Sequence, residues 1–239
     1  MNEFRKKYAQ QIAELAETAN RLAALGFVTS QGGNLSLRAD ENVILITPTK
    51  LAKASVRPED ICAIDMEGQV LFAPEGRRPT GEWPFHLRIM QKRPDVKGII
   101  HAHPPVLTGF AIAGDDLLQY AYLPEPVLEV GPMLTVPYAV PLSDQLAENF
   151  DPFIRLSNGF LMENHGCVMV SPEGLSRCLE MIEMMEAMGK SLITARIMGK
   201  LRTLSKAQID ELSDVIRARS LPMPGLPGAV RKLSDIYLY

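Results

Sequence analysis

A pair of histidines placed directly after a short apolar run constrains the fold of this chain more than any other feature. Residues 98–100 read Gly-Ile-Ile, His101 and His103 follow with one alanine between them, and Pro104 comes next. The apolar run predicts a buried strand, and side chains two residues apart on a strand point to the same face. Since proline stops a strand, both imidazoles are expected at its end. Paired imidazoles are typical zinc ligands, although a solvated surface pair or a chance occurrence is the alternative.

A third histidine lies in a second apolar segment. The chain has 4 histidines, and His165 interrupts the strand-like run 160–170, where Gly166 follows it. Glycine in a strand allows another backbone to approach closely. A catalytic zinc ion typically takes three protein ligands and keeps one open position, and His165 would be the third ligand here. Taken alone, the same residue would be interpreted as a hydrogen-bonded histidine of the core.

Glu82 stands where an amphipathic helix is predicted to begin. Thr80 is the expected N-cap, Glu82 falls in the first turn, and the helix continues over residues 83–91. The carboxylate could simply complement the helix dipole, or it could face the metal as a ligand or a base. His86 follows one turn later, and we interpret it as a packing residue or a partner of the site rather than a ligand.

The composition excludes several classes of protein. A formal net charge of -3 provides no basic surface for nucleic acid, and no apolar run reaches the length of about 20 residues that crosses a membrane. The charged, amphipathic segment 2–25 is unlike a secretory signal. The 3 cysteines are scattered without a CxxC spacing, which indicates buried free thiols in a reducing compartment. We therefore expect a cytoplasmic protein that binds a small molecule and has neither nucleic-acid nor membrane partners.

Strand and helix patterns alternate along residues 1–239 and predict a single α/β domain. A hairpin is predicted at 61–72, with Gly68 in its turn, which argues against a purely parallel sheet. We expect a central mixed or mainly antiparallel sheet with helices on both faces, and an irregular tail over 221–239. No GxGxxG, P-loop or GxSxG motif is present for nucleotide binding or serine hydrolysis. The predicted helices are 3–25, 83–91, 106–113, 143–150, 174–200 and 205–219, and the predicted strands are 34–37, 43–47, 61–65, 69–72, 98–101, 134–140, 160–163 and 168–170.

Five short motifs, taken together, resemble the class II aldolase/adducin family. They occur in the order and spacing of that family and span about residues 10–200, and although each is short, five in register are specific. The motifs are Gln-Gly-Gly-Asn-Leu-Ser at 31–36, Leu-Ile-Thr-Pro-Thr-Lys at 45–50, Pro-Thr-Gly-Glu-Trp-Pro-Phe-His at 79–86, His-Ala-His-Pro at 101–104 and Glu-Asn-His-Gly at 163–166.

The resemblance implies a metal site and a set of catalytic groups. It implies a three-layer fold of the family's type and a zinc site made by His101, His103 and His165, and the same donors suit manganese, cobalt or iron. It also implies that Glu82 is the catalytic carboxylate and holds the metal before substrate arrives. The family's tyrosine acid, donated from a neighbouring subunit, aligns with Tyr122, with Tyr120 as the alternative two residues away. A homotetramer with sites between subunits is implied as well.

The resemblance further implies a pocket for a substrate anion. Asn34 and the two threonines keep the donors of the family's phosphate pocket, whereas Gly81 loses a hydroxyl and Lys50 adds a cation. The anion is therefore expected to be a phosphate or a carboxylate, and an ordinary solvated lysine is the alternative for Lys50. The residues at the matching positions are Gly33, Asn34, Thr49, Lys50, Thr80 and Gly81.

The function expected from these parts is that of a metal-dependent aldehyde-lyase. It would cleave a C–C bond of a small sugar phosphate or hydroxy-keto acid through a metal-stabilised enediolate. A decarboxylase of a hydroxy acid is the closest alternative, because loss of carbon dioxide produces the same enediolate. The related epimerases carry Asp where Glu82 stands and resemble this chain less. A non-catalytic, adducin-like binding protein is the alternative from another class, and retention of the three histidines and Glu82 argues against it.

Overall fold

An eight-stranded sheet runs through the centre of the computed structural model, which describes residues 3–239. All neighbouring strands are antiparallel except β6 and β7, which are parallel, so the prediction of a mixed, mainly antiparallel sheet is confirmed. The strands are β1 (Asn34–Asp40), β2 (Val43–Ile46), β3 (Cys62–Ile64), β4 (Val70–Phe72), β5 (Gly98–Ala102), β6 (Met133–Val136), β7 (Gly159–Met162) and β8 (Gly166–Ser171). Their order across the sheet is β4-β3-β2-β1-β5-β8-β7-β6.

Helices cover both faces of this sheet, as predicted. The helices are α1 (Glu3–Lys7), α2 (Ala9–Ala24), α3 (Trp83–Lys92), α4 (Pro105–Ala113), α5 (Pro124–Glu129), α6 (Asp144–Glu148), α7 (Leu175–Met198) and α8 (Lys206–Arg219). Helices α2, α4 and α7 pack on one face, and α3 and α6 pack on the other. Strand β5 shows why two layers form, since Ile100 lies in the first apolar cluster and Ile99 in the second. No helix in the described part of the chain is long and apolar enough to span a membrane.

Two predicted boundaries were wrong for identifiable reasons, and one helix was missed. The helix predicted over 3–25 is two helices, because the chain bends at Tyr8, whose side chain is buried. The strand predicted over 134–140 ends at Val136, and Pro137 follows it. The short, proline-containing helix Pro124–Glu129 was not predicted at all.

The structure of the C-terminal part confirms the predicted capping box and adds detail to the predicted tail. Ser205 and Gln208 form the capping box that was predicted to open the last long helix. The tail over 221–239 contains only one 3₁₀ turn, Leu233–Asp235, yet it is packed and not loose. Its residues Leu233 and Tyr237 are buried against α5 and α8. The tail therefore belongs to the folded domain.

The strand register brings the predicted site residues to one end of the sheet. His101 on β5 lies opposite Asn34 on β1 and opposite Val168 on β8. The turn between β7 and β8 contains His165, and Gly166 is the first residue of β8. Since β5 is central between β1 and β8, its C-terminal end is where the three segments meet.

Candidate metal centre and substrate cavity

The three predicted histidines converge at the end of β5. His101 is on the strand, His103 follows it directly, and His165 reaches them from the turn before β8. Their ligating nitrogen atoms all lie within 4.8 Å of one another. Gly166 permits this approach, because a Cβ atom there would lie 2.5 Å from the Ala102 carbonyl oxygen. The close backbone approach predicted at this glycine is present.

The hydrogen bonding of the imidazoles fits a bound cation. His101 Nδ1 lies 2.9 Å from the Cys167 carbonyl oxygen, which can only accept, so Nδ1 carries the proton and Nε2 has a free lone pair. His101 Nε2 and His103 Nδ1 are both buried and form no hydrogen bond. Leaving a buried acceptor unpaired costs about 1–3 kcal/mol. A divalent metal ion would satisfy both atoms at once.

Burial also keeps these ligands in the protonation state that binds metal. Desolvation, with a smaller contribution from the neighbouring His165, lowers the pKa of His101 to about 3. Desolvation, followed by the influence of His101, lowers the pKa of His103 to about 3 as well. Both imidazoles are therefore neutral at pH 7, which metal coordination requires.

The Glu82 carboxylate lies close to two of the three histidines. Its Oε2 atom lies 3.5 Å from His101 Nε2, and its Oε1 atom lies 3.5 Å from His165 Nε2. Tetrahedral zinc ligands at the usual bond lengths are about 3.4 Å apart, so the carboxylate lies at the separation expected of atoms that share one ion. The three imidazoles and this carboxylate could therefore hold a metal together.

The local structure around Glu82 differs from the prediction. Helix α3 begins at Trp83, so Glu82 is itself the N-cap residue, and its side chain does not cap the helix. Thr80 was predicted as the N-cap; its hydroxyl instead accepts a hydrogen bond from the Glu82 amide at 3.4 Å. The Glu82 carboxylate thus lies beside the histidines and forms no hydrogen bond with the first N–H groups of α3.

A chain of buried hydrogen bonds supports the Glu82 carboxylate. Asn34 Nδ2 donates to Glu82 Oε2 at 2.7 Å, which leaves Asn34 Oδ1 to accept from His86 Nε2 at 2.5 Å. His86 Nδ1 must then be an acceptor, and the Ser36 hydroxyl donates to it at 2.7 Å. Complete burial lowers the pKa of His86 well below its ordinary value, which agrees with a neutral ring. His86 therefore contacts Asn34, the partner of Glu82, and lies outside the histidine cluster. The role of Ser36 was not predicted from the sequence.

A cavity of about 240 Å³ opens beside the histidines. Its lining includes all six residues predicted for the anion pocket, namely Gly33, Asn34, Thr49, Lys50, Thr80 and Gly81. Glu82, His103 and His165 form part of the same wall. A bridge between Pro48 and Pro79 joins the two loops that carry the threonines. Residues separated by about 30 positions in sequence are thereby held around one space.

The cavity also has lining residues that were not predicted to belong to the anion pocket. They are Gln31, Gly32, Pro48, Lys53 and Leu142. Gly32 approaches the metal centre closely, since a Cβ atom there would lie 3.2 Å from His103 Nδ1. Lys53 lies in the 3₁₀ turn Lys53–Ser55, and no periodicity or motif in the sequence set it apart from a solvated lysine. Its burial is a product of the tertiary fold.

Neither predicted tyrosine lines this cavity in its own chain. Tyr120 and Tyr122 instead line a larger surface depression together with Arg196. Burial raises the pKa of Tyr122 above its ordinary value. Donation of Tyr122 across a subunit interface therefore stays a prediction.

Comparison with known proteins decides the family. The profile described as Class II Aldolase and Adducin N-terminal domain matches residues 13–192. The chain belongs to this family. Enzymes of this family are metal-dependent, and the histidine cluster of this chain could hold a metal ion.

Known relatives of this chain are named for two different reactions. A 3-oxo-tetronate 4-phosphate decarboxylase from Haemophilus influenzae is 31% identical over 79% of this chain and 89% of its own length. An L-fuculose phosphate aldolase from Methanococcus maripaludis is 33% identical over 62% of this chain and 77% of its own length. The solved structure of YgbL from Klebsiella pneumoniae superposes with a TM-score of 0.78 at 25% identity, covering 86% of this chain and 98% of that one. The family and its fold are thus as predicted, while the relatives divide between two reactions.

Proposed function

We propose that this protein is a metal-dependent carbon–carbon lyase that acts on a small phosphorylated substrate. The observation that carries the proposal is the cluster of three imidazoles with Glu82 beside it in the wall of one cavity. His101, His103, His165 and Glu82 would hold the ion, and zinc suits these donors, with manganese, cobalt or iron as alternatives. A divalent cation in this place supplies Lewis-acid polarisation of a substrate carbonyl.

The far end of the cavity would bind the substrate phosphate. The Thr49 and Thr80 hydroxyls and the Lys50 ammonium group are the proposed donors, and all three residues line the cavity. Asn34 uses one amide hydrogen on Glu82 and has a second for the substrate anion. Gly33 and Gly81 also line this end of the cavity. This end fixes the orientation of the substrate relative to Glu82.

Glu82 would carry the proton in the reaction. Breaking the C–C bond leaves an electron pair on the carbon next to the polarised carbonyl, and a proton must reach that carbon. Asn34 holds one carboxylate oxygen at 2.7 Å and so sets the direction of proton transfer. Because His86 is buried and neutral, it would keep Asn34 oriented without adding charge.

Two lyase reactions use this chemistry, and the relatives support decarboxylation more than aldol cleavage. The decarboxylase relative matches 79% of this chain, whereas the aldolase relative matches 62%. We therefore propose decarboxylation of a phosphorylated 3-oxo acid as the first activity to test, and aldol cleavage of a sugar phosphate as the second. We further propose a cytoplasmic homotetramer in which Tyr122 of a neighbouring subunit completes the site.

The test measures both products in the same reactions. Zinc-loaded protein is incubated with 3-oxo-tetronate 4-phosphate and, separately, with L-fuculose 1-phosphate, and carbon dioxide and aldehyde are quantified. Carbon dioxide from the oxo acid is the expected result, and aldehyde alone would establish aldol cleavage. Neither product from a panel of sugar phosphates and phosphorylated oxo acids would refute a lyase and favour a binding protein. The His165→Ala variant is the control for activity that does not depend on the metal centre.

A further inference from the structure

Lys53 is a buried cation that forms no ion pair with a carboxylate of residues 3–239. Lys53 is 1% exposed. Its Nζ atom donates hydrogen bonds to the carbonyl oxygens of Gln31 at 3.1 Å and Leu51 at 3.0 Å. An ammonium group has three hydrogens, so one donor is left after both carbonyls are served. A buried charge without a counter-charge is costly unless a ligand supplies one.

This charge lies at the metal end of the cavity. Lys53 lines the cavity together with Glu82 and His165. Its hydrogen-bond partner Gln31 directly precedes Gly32, which lies against His103. The positive charge of Lys53 contributes to the lowered pKa of His103, and Glu82 acts to raise the pKa of Lys53. Desolvation nevertheless lowers the pKa of Lys53 to about 8, so the side chain of the metal-free protein is mostly in the ammonium form at pH 7.

The charges around the cavity match a substrate with two anionic groups. Lys50 and Lys53 are its lysines, and Glu82 is the only carboxylate in its described lining. With a divalent ion at the histidines, positive charge exceeds negative charge by three. A phosphate monoester carries about two negative charges at most, which leaves one positive charge for a carboxylate. A substrate with phosphate alone would leave one positive charge of the cavity without a counter-charge.

We propose that Lys53 binds a carboxylate of the substrate beside the metal centre, while Lys50 serves the phosphate at the other end. This inference rests on the proposed function and narrows its substrate class to phosphorylated hydroxy or oxo acids. In a decarboxylation, the bond between the carboxylate carbon and its neighbour breaks, the electron pair stays on the neighbour, and one proton is taken up there. The product has lost the anionic group that Lys53 holds, which favours its release.

Two unreactive ligands that differ only at the carboxylate test this assignment. The probes are 3-phosphoglycerate and glycerol 3-phosphate, because the second has a hydroxymethyl group where the first has a carboxylate. Dissociation constants are measured calorimetrically with zinc-loaded wild type, Lys53→Met, Lys53→Gln and Lys50→Met. Gln keeps an N–H donor for one of the two carbonyls, so it serves if the Met variant does not fold.

We expect wild type to prefer 3-phosphoglycerate. Removing the Lys53 charge should weaken 3-phosphoglycerate by about 10- to 100-fold, the range for a hydrogen bond to a charged group, and leave glycerol 3-phosphate within about twofold. The control Lys50→Met should weaken both ligands alike, because both carry phosphate. Equal affinities in wild type, or equal losses for both ligands in the Lys53 variants, would overturn the proposal and make Lys53 a tie between the loops at Gln31 and Leu51.

The lyase assay separates the two proposals. Activity without carboxylate selectivity at Lys53 would leave the proposed function intact and refute the subsite. Carboxylate selectivity without turnover of any substrate would support the subsite and refute the lyase.

Discussion

Replacing Gly166 by alanine should disturb the metal centre through its backbone. Gly166 opens β8 directly after His165, and its added Cβ would lie 2.5 Å from the Ala102 carbonyl oxygen and 2.7 Å from His103 Cδ2. Both distances are too short for van der Waals contact. The carbonyl cannot simply move away, because Ala102 is paired with Cys167 in the β5–β8 ladder. The clash must therefore be relieved by moving the two strands apart or by displacing the His103 ring.

The expected magnitude follows from these contacts. Overfilling a packed site by one methyl group typically costs about 1–3 kcal/mol of unfolding free energy. Displacement of the His103 ring should weaken zinc affinity by about 10- to 100-fold, the range observed when the support of a ligating histidine is lost. Gly166→Ala should thus lower both stability and metal affinity, while Gly109→Ala is the matched control. Gly109 lies in α4, and nothing is within 4 Å of its added Cβ.

The assay combines urea unfolding of the metal-free protein with zinc titration against a chromophoric chelator. Gly109→Ala should retain wild-type zinc affinity and gain up to about 1 kcal/mol, because alanine is favoured over glycine in a helix. If Gly166→Ala keeps both the stability and the zinc affinity of the wild type, the close approach of β8 to His103 is refuted.

Three other predictions concern the same centre. Alanine at His101, His103 or His165 should abolish stoichiometric metal in elemental analysis, whereas His86→Ala should retain it and lose only stability; full occupancy in all three variants would contradict the ligand set. Glu82→Gln should stay folded and lower turnover by about 10²- to 10⁴-fold, the scale of acid–base groups, and an unchanged rate would exclude proton transfer by Glu82. Metal-free protein should lose stability as the pH falls from 6.5 towards 3, because unfolding raises the pKa of His101 and His103 from about 3 towards 6.5. The unfolded chain then binds more protons in this window, so urea midpoints at pH 7 and pH 5 check the sign.

Local sequence was sufficient for much of the architecture. The apolar run before His101 predicted a buried strand, and β5 forms over Gly98–Ala102. Ser205 and Gln208 predicted a helix start, since a capping box acts within one turn. Prediction was wrong where contacts between distant parts of the chain affect the local structure. The single helix predicted through Tyr8 is interrupted at that residue, whose side chain is buried.

The sequence by itself determined which chemical groups are available and the secondary structure that carries them. Three imidazoles and one carboxylate could be named from the local pattern, because ligand type and strand periodicity are encoded over a few residues, whereas the anion-pocket donors were implied by the resemblance to the family. Only the tertiary structure decided how these groups are paired. The link from His86 through Asn34 to Glu82 joins residues 52 and 48 positions apart. Lys53 is likewise buried because its 3₁₀ turn packs against α2 and its ammonium group reaches the carbonyl oxygen of Gln31, 22 positions away. The low-dielectric surroundings that strengthen the interactions of its charge exist only after folding.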